Sequence, residues 1–250
     1  MNQQHVLGID IGGTGIKGAL VDLAVGDLVA ERYRIETPAE STPDNVAKVV
    51  AQIVEHFGPD LGDGPVGITF PAVVQHGTTL SAANVDASWI DAPAERILAE
   101  HLGRPVVLVN DADAAGLAEV KYGAAKDADG LVIITTLGTG IGSAIVYNGV
   151  LIPNSELGHL EIDGYDAEKR AAASIRTKEG LSYDEYVPRL QRYYETVEFL
   201  FTPDLLVVGG GVSKKAHKFL PKLKLRTPIV PAQLQNRAGI VGAAWIAANG

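Results

Sequence analysis

The chain has 250 residues, 46% of them apolar and 20% charged, which is enough to bury a sizeable core in one large domain or two smaller ones. It contains no cysteine, which excludes a disulfide framework and any thiolate zinc site and leaves six scattered histidines as soft metal ligands. The net charge of −9, from 30 acidic and 21 basic residues, argues against nucleic acid as a general partner. The N-terminus lacks the basic and then apolar layout of a signal peptide, and charges or glycines interrupt every apolar run before it reaches a membrane span. A cytoplasmic protein without a membrane partner is expected.

In chain order, Val6 to Ile11, the turn Gly12-Gly13-Thr14-Gly15, and Ile16 to Val21 read as strand, tight glycine turn and strand. A helix is expected from about Asn45 to Phe57, a strand from Val66 to Phe70, a helix from Ala94 to Leu102, a strand from Val106 to Val109, and a helix from Ala112 to Tyr122. The opening pattern then recurs as Leu131 to Leu137, Gly138-Thr139-Gly140-Ile141-Gly142, and Ser143 to Val146. Helical segments follow at Ala167 to Lys178 and Tyr183 to Phe201. A buried strand from Leu205 to Val208 opens onto Gly209-Gly210-Gly211, and a last helix covers Ala238 to Ala248. The repetition predicts an α/β protein of two similar lobes around a cleft. The lobes are expected at 1–109 and 110–250, with the last helix returning to the first lobe.

Glycine turns admit positive φ and let backbone N–H groups approach an anion, and the Thr14 hydroxyl adds a donor. Two such turns can grip a phosphate chain, although neither is followed by the Gly-Lys-Ser/Thr of a Walker loop. Asp10, beside the first turn, either orients a magnesium ion through water or caps the turn. Asn110-Asp111-Ala112-Asp113 sits where a strand gives way to a helix. Asp111 there is a candidate base for a hydroxyl proton, and N-capping is the competing role for Asp111 or Asp113. Glu156-Leu-Gly158-His159-Leu-Glu161 suits hydrogen bonding to several sugar hydroxyls, while a metal site or a solvated loop remains open on spacing alone. Lys214, Lys215, Lys218, Lys222, Lys224 and Arg226 crowd a stretch without an acidic residue, either as a bed for a polyanion or as a solvated helix face.

Together these segments resemble the ROK family of sugar kinases, within the actin-like ATPase superfamily, and more closely its polyphosphate-using glucokinase branch. The resemblance implies ribonuclease H-like lobes and phosphorylation of glucose at its 6-hydroxyl, with inorganic polyphosphate and magnesium. ATP-dependent or dual-donor phosphorylation of glucose or mannose, and sugar-sensing regulation without catalysis, stand as alternatives. It implies phosphate contacts at Asp10, Gly12, Gly13, Thr14, Gly15, Lys17, Gly138, Thr139, Gly140, Gly210 and Gly211, and a polyphosphate path over Lys214, Lys215 and Lys218. It assigns sugar contacts to Asn84, Asn110, Asp111, Glu156 and His159 and, on a looser match, Glu168, with Asp111 rather than Asp113 as the base. Most ROK kinases follow the Glu-x-Gly-His motif with a cysteine-rich zinc segment. This chain continues through Glu161 to Tyr165 without cysteine, so no zinc is expected. A homodimer is implied.

Overall fold

The computed structural model describes residues 5–82 and 85–250. Two compact units emerge: the first runs through Ala118 and takes in Arg237–Gly250, and the second is Glu119–Asn236.

In the first unit β1 (His5–Gly12) and β2 (Gly15–Asp22) form the expected antiparallel hairpin. The short strands β3 (Asp27–Leu28) and β4 (Tyr33–Ile35) both pair with β2. Helix α1 (Pro43–Phe57) starts two residues before its expected position. Pro43 fits its first turn, where an N–H has no helical partner, and the Thr42 hydroxyl accepts from the Asn45 N–H. Strand β5 (Val66–Phe70) runs parallel to β1, and a small hairpin of β6 (Val74–Gln75) and β7 (Thr78–Thr79) follows. Then come α2 (Ala94–Leu102), β8 (Val106–Asn110), parallel to β5, and α3 (Asp111–Tyr122). The sheet order is β3-β2-β1-β5-β8.

Every residue of β5 is buried, as a strand covered on both faces must be. On one face Ile68 and Leu7 join a core with Val46, Val50, Ile53 and Leu98 of the helices. On the other lies the C-terminal helix, Ala238–Asn249. Gly8 and Gly67 are neighbours across β1 and β5, and together they form a flat patch under that helix. A Cβ on Gly8 would stand 2.1 Å from the Ile240 carbonyl oxygen, and one on Gly67 2.0 Å from that of Ala243. Gly242 meets the Ala114 carbonyl in the same way, at 1.9 Å. This contact on α3 explains why the first unit extends to Ala118 rather than ending at the expected residue 109.

The second unit repeats the plan. Strands β9 (Leu131–Leu137), β10 (Ile141–Tyr147) and β11 (Val150–Ile152) are successively antiparallel. A two-strand hairpin follows, β12 (Glu161–Ile162) and β13 (Tyr165–Asp166). The single helix expected over Ala167 to Lys178 is broken into α4 (Glu168–Ala171) and α5 (Ala173–Lys178), because Ala172 is extended at ψ 149°. The break lets the Ser174 N–H donate to the Gly138 carbonyl and its hydroxyl to that of Thr139. Helix α6 (Tyr183–Phe201) opens with a Ser182/Glu185 capping box and buries Tyr186, Leu190, Tyr193, Tyr194 and Val197. Strands β14 (Leu205–Gly209) and β15 (Ile229–Pro231) run parallel to β9, giving the order β11-β10-β9-β14-β15. The repeated hairpin motif is thus a repeated lobe: an antiparallel hairpin with an added edge, followed by two parallel strands. Among the described residues no helix is long and apolar enough to cross a membrane.

Gly67→Ala is expected to lower stability by about 1 to 3 kcal/mol, since backbone rather than a flexible side chain must yield. Gly58→Ala, at φ −44° with nothing near its Cβ, should be neutral or stabilising by less than about 1 kcal/mol. Urea unfolding of the two variants checks the contrast.

Candidate functional site

In the first unit the C-terminal ends of β1, β5 and β8 lie side by side, pairing Asp10 with Thr69 and Phe70 with Asn110. Two strand spacings separate Asp10 from the start of α3, about 10 Å, at the edge where open α/β sheets hold ligands. The Thr69 hydroxyl donates to Asp10 Oδ1 at 2.9 Å, and the Lys17 ammonium faces Oδ2 at 3.5 Å, so the carboxylate is oriented by its neighbours beside the glycine turn. Gly13 and Thr14 are exposed at the tip.

Asn110 caps α3. Its Oδ1 accepts from the N–H groups of Ala112 at 2.8 Å and Asp113 at 3.1 Å, and its Nδ2 donates to the Ala72 carbonyl at 2.9 Å. The capping role weighed for Asp111 or Asp113 falls to the preceding residue. Asp113 is buried, whereas Asp111 is exposed and its Oδ1 accepts from the adjacent Ala112 N–H. Asn84 lies outside the described residues.

The glycines serve the turns differently from the sequence expectation. Gly12, Gly15, Gly138 and Gly140 do not take positive φ; what matters at three of them is the missing Cβ. One on Gly15 would strike the Arg34 guanidinium at 2.5 Å, one on Gly140 the Glu168 carboxylate at 2.2 Å, and one on Gly12 would stand 3.2 Å from the Gly15 carbonyl oxygen. Gly210 alone of these phosphate-motif positions uses positive φ, 78°, and it packs against the Leu137 backbone where β14 ends beside the second turn.

In the second unit Gly138 donates to the Gly140 carbonyl, which closes the turn, and leaves Thr139 exposed at the tip. The Ile141 N–H donates to Glu168 Oε2 at 3.1 Å. Gly158 sits on the other side of the same residue, where a Cβ would lie 2.1 Å from the Ile141 carbonyl oxygen. That contact draws His159, at the end of a single 3₁₀ turn over Leu157–His159, and Glu156, the residue before that turn, toward Glu168. His159 Nε2 stands 3.9 Å from Glu156 Oε2, and His159 Nδ1 donates to Asp166 Oδ2 at 2.9 Å. The hydrogen bond to Asp166, reinforced by the charges of Glu168 and Glu156, raises the His159 pKa against the opposing effect of burial. Burial, together with the Glu168 charge, raises the Glu156 pKa, and His159 opposes them. His159, Asp166 and Glu168 offer one possible ligand atom each within 4.8 Å of one another, and the hydrogen bond satisfies the first two without an ion.

The basic run divides. Lys222 donates to Asp184, and Arg226 to Glu198 at 3.3 Å, so these two brace α6. Lys214, Lys215 and Lys218 are exposed on the 3₁₀ helix Gly211–Lys218 and form no ion pair among the described residues. The sequence reading did not include Thr69, Asp166 or Ser174: each acts through a partner at least seven residues away, and none belongs to a recognisable motif.

Two lobes of one strand order, each with a glycine turn between its first two strands, define the actin-like ATPase fold. A ROK family model matches residues 6–174, and the chain belongs to that family. The polyphosphate glucokinase of Mycobacterium tuberculosis is 52% identical over 243 residues, covering 97% of this chain and 91% of that protein. The crystal structure of the inorganic polyphosphate/ATP-glucomannokinase from Arthrobacter sp. strain KM superposes with a TM-score of 0.93 at 56% identity, over 98% of this chain and 99% of that one. A ROK family glucokinase from Streptomyces griseus, in complex with glucose and AMPPNP, shares the fold with a TM-score of 0.84 at 23% identity, over 98% and 100%.

Because its folded pKa lies above the ordinary value of about 6.5, His159 stabilises the fold fully below that pH. The contribution is lost as pH rises through the folded value. Urea midpoints measured from about pH 6 to 8 should therefore fall more steeply for the wild type than for His159→Gln. Parallel curves would contradict the assignment.

Proposed function

We propose that this protein transfers the terminal phosphoryl group of inorganic polyphosphate to the 6-hydroxyl of glucose, giving glucose 6-phosphate and a polyphosphate one unit shorter. Near-full-length identity above one half to proteins named for this activity supports the reading. The observation that carries the mechanism is that Asn110 takes over the capping of α3 and leaves the Asp111 carboxylate exposed at the end of β8.

Asp111 accepts the proton of the 6-hydroxyl as its oxygen forms a bond to the terminal phosphorus. The bond from phosphorus to the bridging oxygen breaks, and the shortened chain leaves with the electron pair. Glu156, Glu168 and His159 hold the other hydroxyls: the carboxylates accept hydrogen bonds, and His159, whose charged form its acidic neighbours favour, donates one from a ring N–H. Asn110 adds the Nδ2 hydrogen not used on Ala72. The phosphates rest on the exposed backbone of the Gly12–Gly15 and Gly138–Gly140 turns, with Gly210 and Gly211 beside the second and Lys17 beside the first. The chain continues over Lys214, Lys215 and Lys218, exposed on the 3₁₀ helix after Gly211 and without an ion pair among the described residues.

Asp10 is the residue that would hold magnesium through water. A carboxylate oriented by Thr69 and Lys17 beside the first turn offers the hard oxygen such an ion prefers. The bound ion supplies neutralisation of phosphate charge. ATP as an additional donor is the second reading, favoured by the Gly209-Gly210-Gly211 turn and by a relative named for both donors. Location in the cytoplasm and assembly as a homodimer are part of this proposal and rest on the family resemblance alone.

Asp111→Asn should lower kcat by about 10²- to 10⁴-fold while glucose still binds, as followed by calorimetry. Turnover at the wild-type rate with glucose bound would remove Asp111 from the role of base.

A further inference from the structure

The hairpin β12–β13 that follows the Glu-x-Gly-His motif has no role in the reaction as written, yet it is clamped at its turn, its flank and its base. Asp163, at φ 55°, and Gly164, at φ 78°, form its two-residue turn. Arg192 of α6 donates to both carboxylate oxygens of Asp163, at 3.0 and 2.8 Å. Arg170 of α4 stacks its guanidinium 3.5 Å from the centroid of the Tyr165 ring. The Ala167 N–H donates to the Leu160 carbonyl at 2.9 Å and closes the base.

At the end of this hairpin Asp166 divides its two oxygens. Oδ2 accepts from His159 Nδ1 at 2.9 Å, and Oδ1 accepts from the Glu168 N–H at 3.2 Å. With Nδ1 engaged, the ring orientation is set, and Nε2 is the nitrogen left on the side of Glu156, 3.9 Å from its carboxylate. The ionisable groups facing His159 are Asp166 from β13, Glu168 from α4 and Glu156 from the segment before the 3₁₀ turn, all acidic.

We propose that Asp166 is a positioning residue for sugar binding, which holds His159 by Nδ1 and thereby presents Nε2, as a donor beside Glu156, to a sugar hydroxyl. This rests on the reading of Glu156, His159 and Glu168 as sugar contacts. Asp166 acts through His159 and touches no substrate, in the way that outer partners of ligand-binding histidines fix ring and proton. It also joins two sugar-side groups, His159 and Glu168, through one carboxylate.

The test is Asp166→Asn in the full chain, which keeps an acceptor oxygen for the Glu168 N–H and removes the charge beside His159. The KM for glucose should rise about tenfold, with kcat and the KM for polyphosphate within about twofold. His159, followed by NMR without sugar, should titrate at lower pH in the variant. In the His159→Gln background the same substitution should produce no further rise, because two residues acting as a unit are not additive. Asp166→Glu, which retains the charge, should lie closer to the wild type and keeps the comparison available if the asparagine variant unfolds. A wild-type KM in Asp166→Asn, or an effect of equal size with and without His159, would overturn the proposal. A wild-type enzyme that neither binds nor phosphorylates glucose would instead overturn the functional reading beneath it.

Discussion

The backbone of Ile141 is the point on which the candidate site of the second unit depends. Its N–H donates to Glu168, and its carbonyl is approached by Gly158 so closely that no Cβ fits between them. The preceding residue, Gly140, leaves no room for a Cβ against the same Glu168 carboxylate. One strand end therefore holds three pieces of chain that are far apart in sequence: the glycine turn after β9, the Glu-Leu-Gly-His segment and the start of α4. A buried backbone N–H must find an acceptor, and here the acceptor is a carboxylate the proposed reaction also uses. The glycine turn and the groups proposed to hold the sugar are set in this unit by one local geometry, so a change at Gly140 or Gly158 would disturb both.

The first unit reaches a comparable result by other means. Gly8 and Gly67 let the backbone of the C-terminal helix settle on β1 and β5, which fixes the strands whose ends carry Asp10 and Asn110. Thr69, the strand neighbour of Asp10, orients its carboxylate. Asn110 satisfies two of the donors at the start of α3, one of them shared with Asp111. In both units, then, hydrogen bonds to backbone and neighbouring side chains fix the proposed site groups while the turn tips stay exposed. This is the arrangement that preorganised electrostatics require.

Much of this could be read from residues alone. The apolar runs at Val66, Val106 and Leu205 and the two Gly-Thr-Gly hairpins placed their strands to within one or two residues, because a strand buried on both faces leaves a continuous apolar signature. The family assignment rested on the same motifs. What was hidden depends on contacts distant in sequence. The break at Ala172 follows from Ser174 reaching the second turn, which no local propensity encodes. The hairpin β12–β13 is too short for any period to register, and with it Asp166 escaped notice. The turn glycines were recognised for a conformation they do not use, since a missing Cβ and a positive φ leave the same letter in the sequence. Lys222 and Arg226 were indistinguishable from Lys214 until their acidic partners on α6 came into view.

The central claim is the phosphoryl donor. Nucleotide-free enzyme, given glucose and magnesium with either long-chain polyphosphate or ATP as sole donor, should form glucose 6-phosphate from polyphosphate. Product from ATP alone, or from neither, would contradict the account.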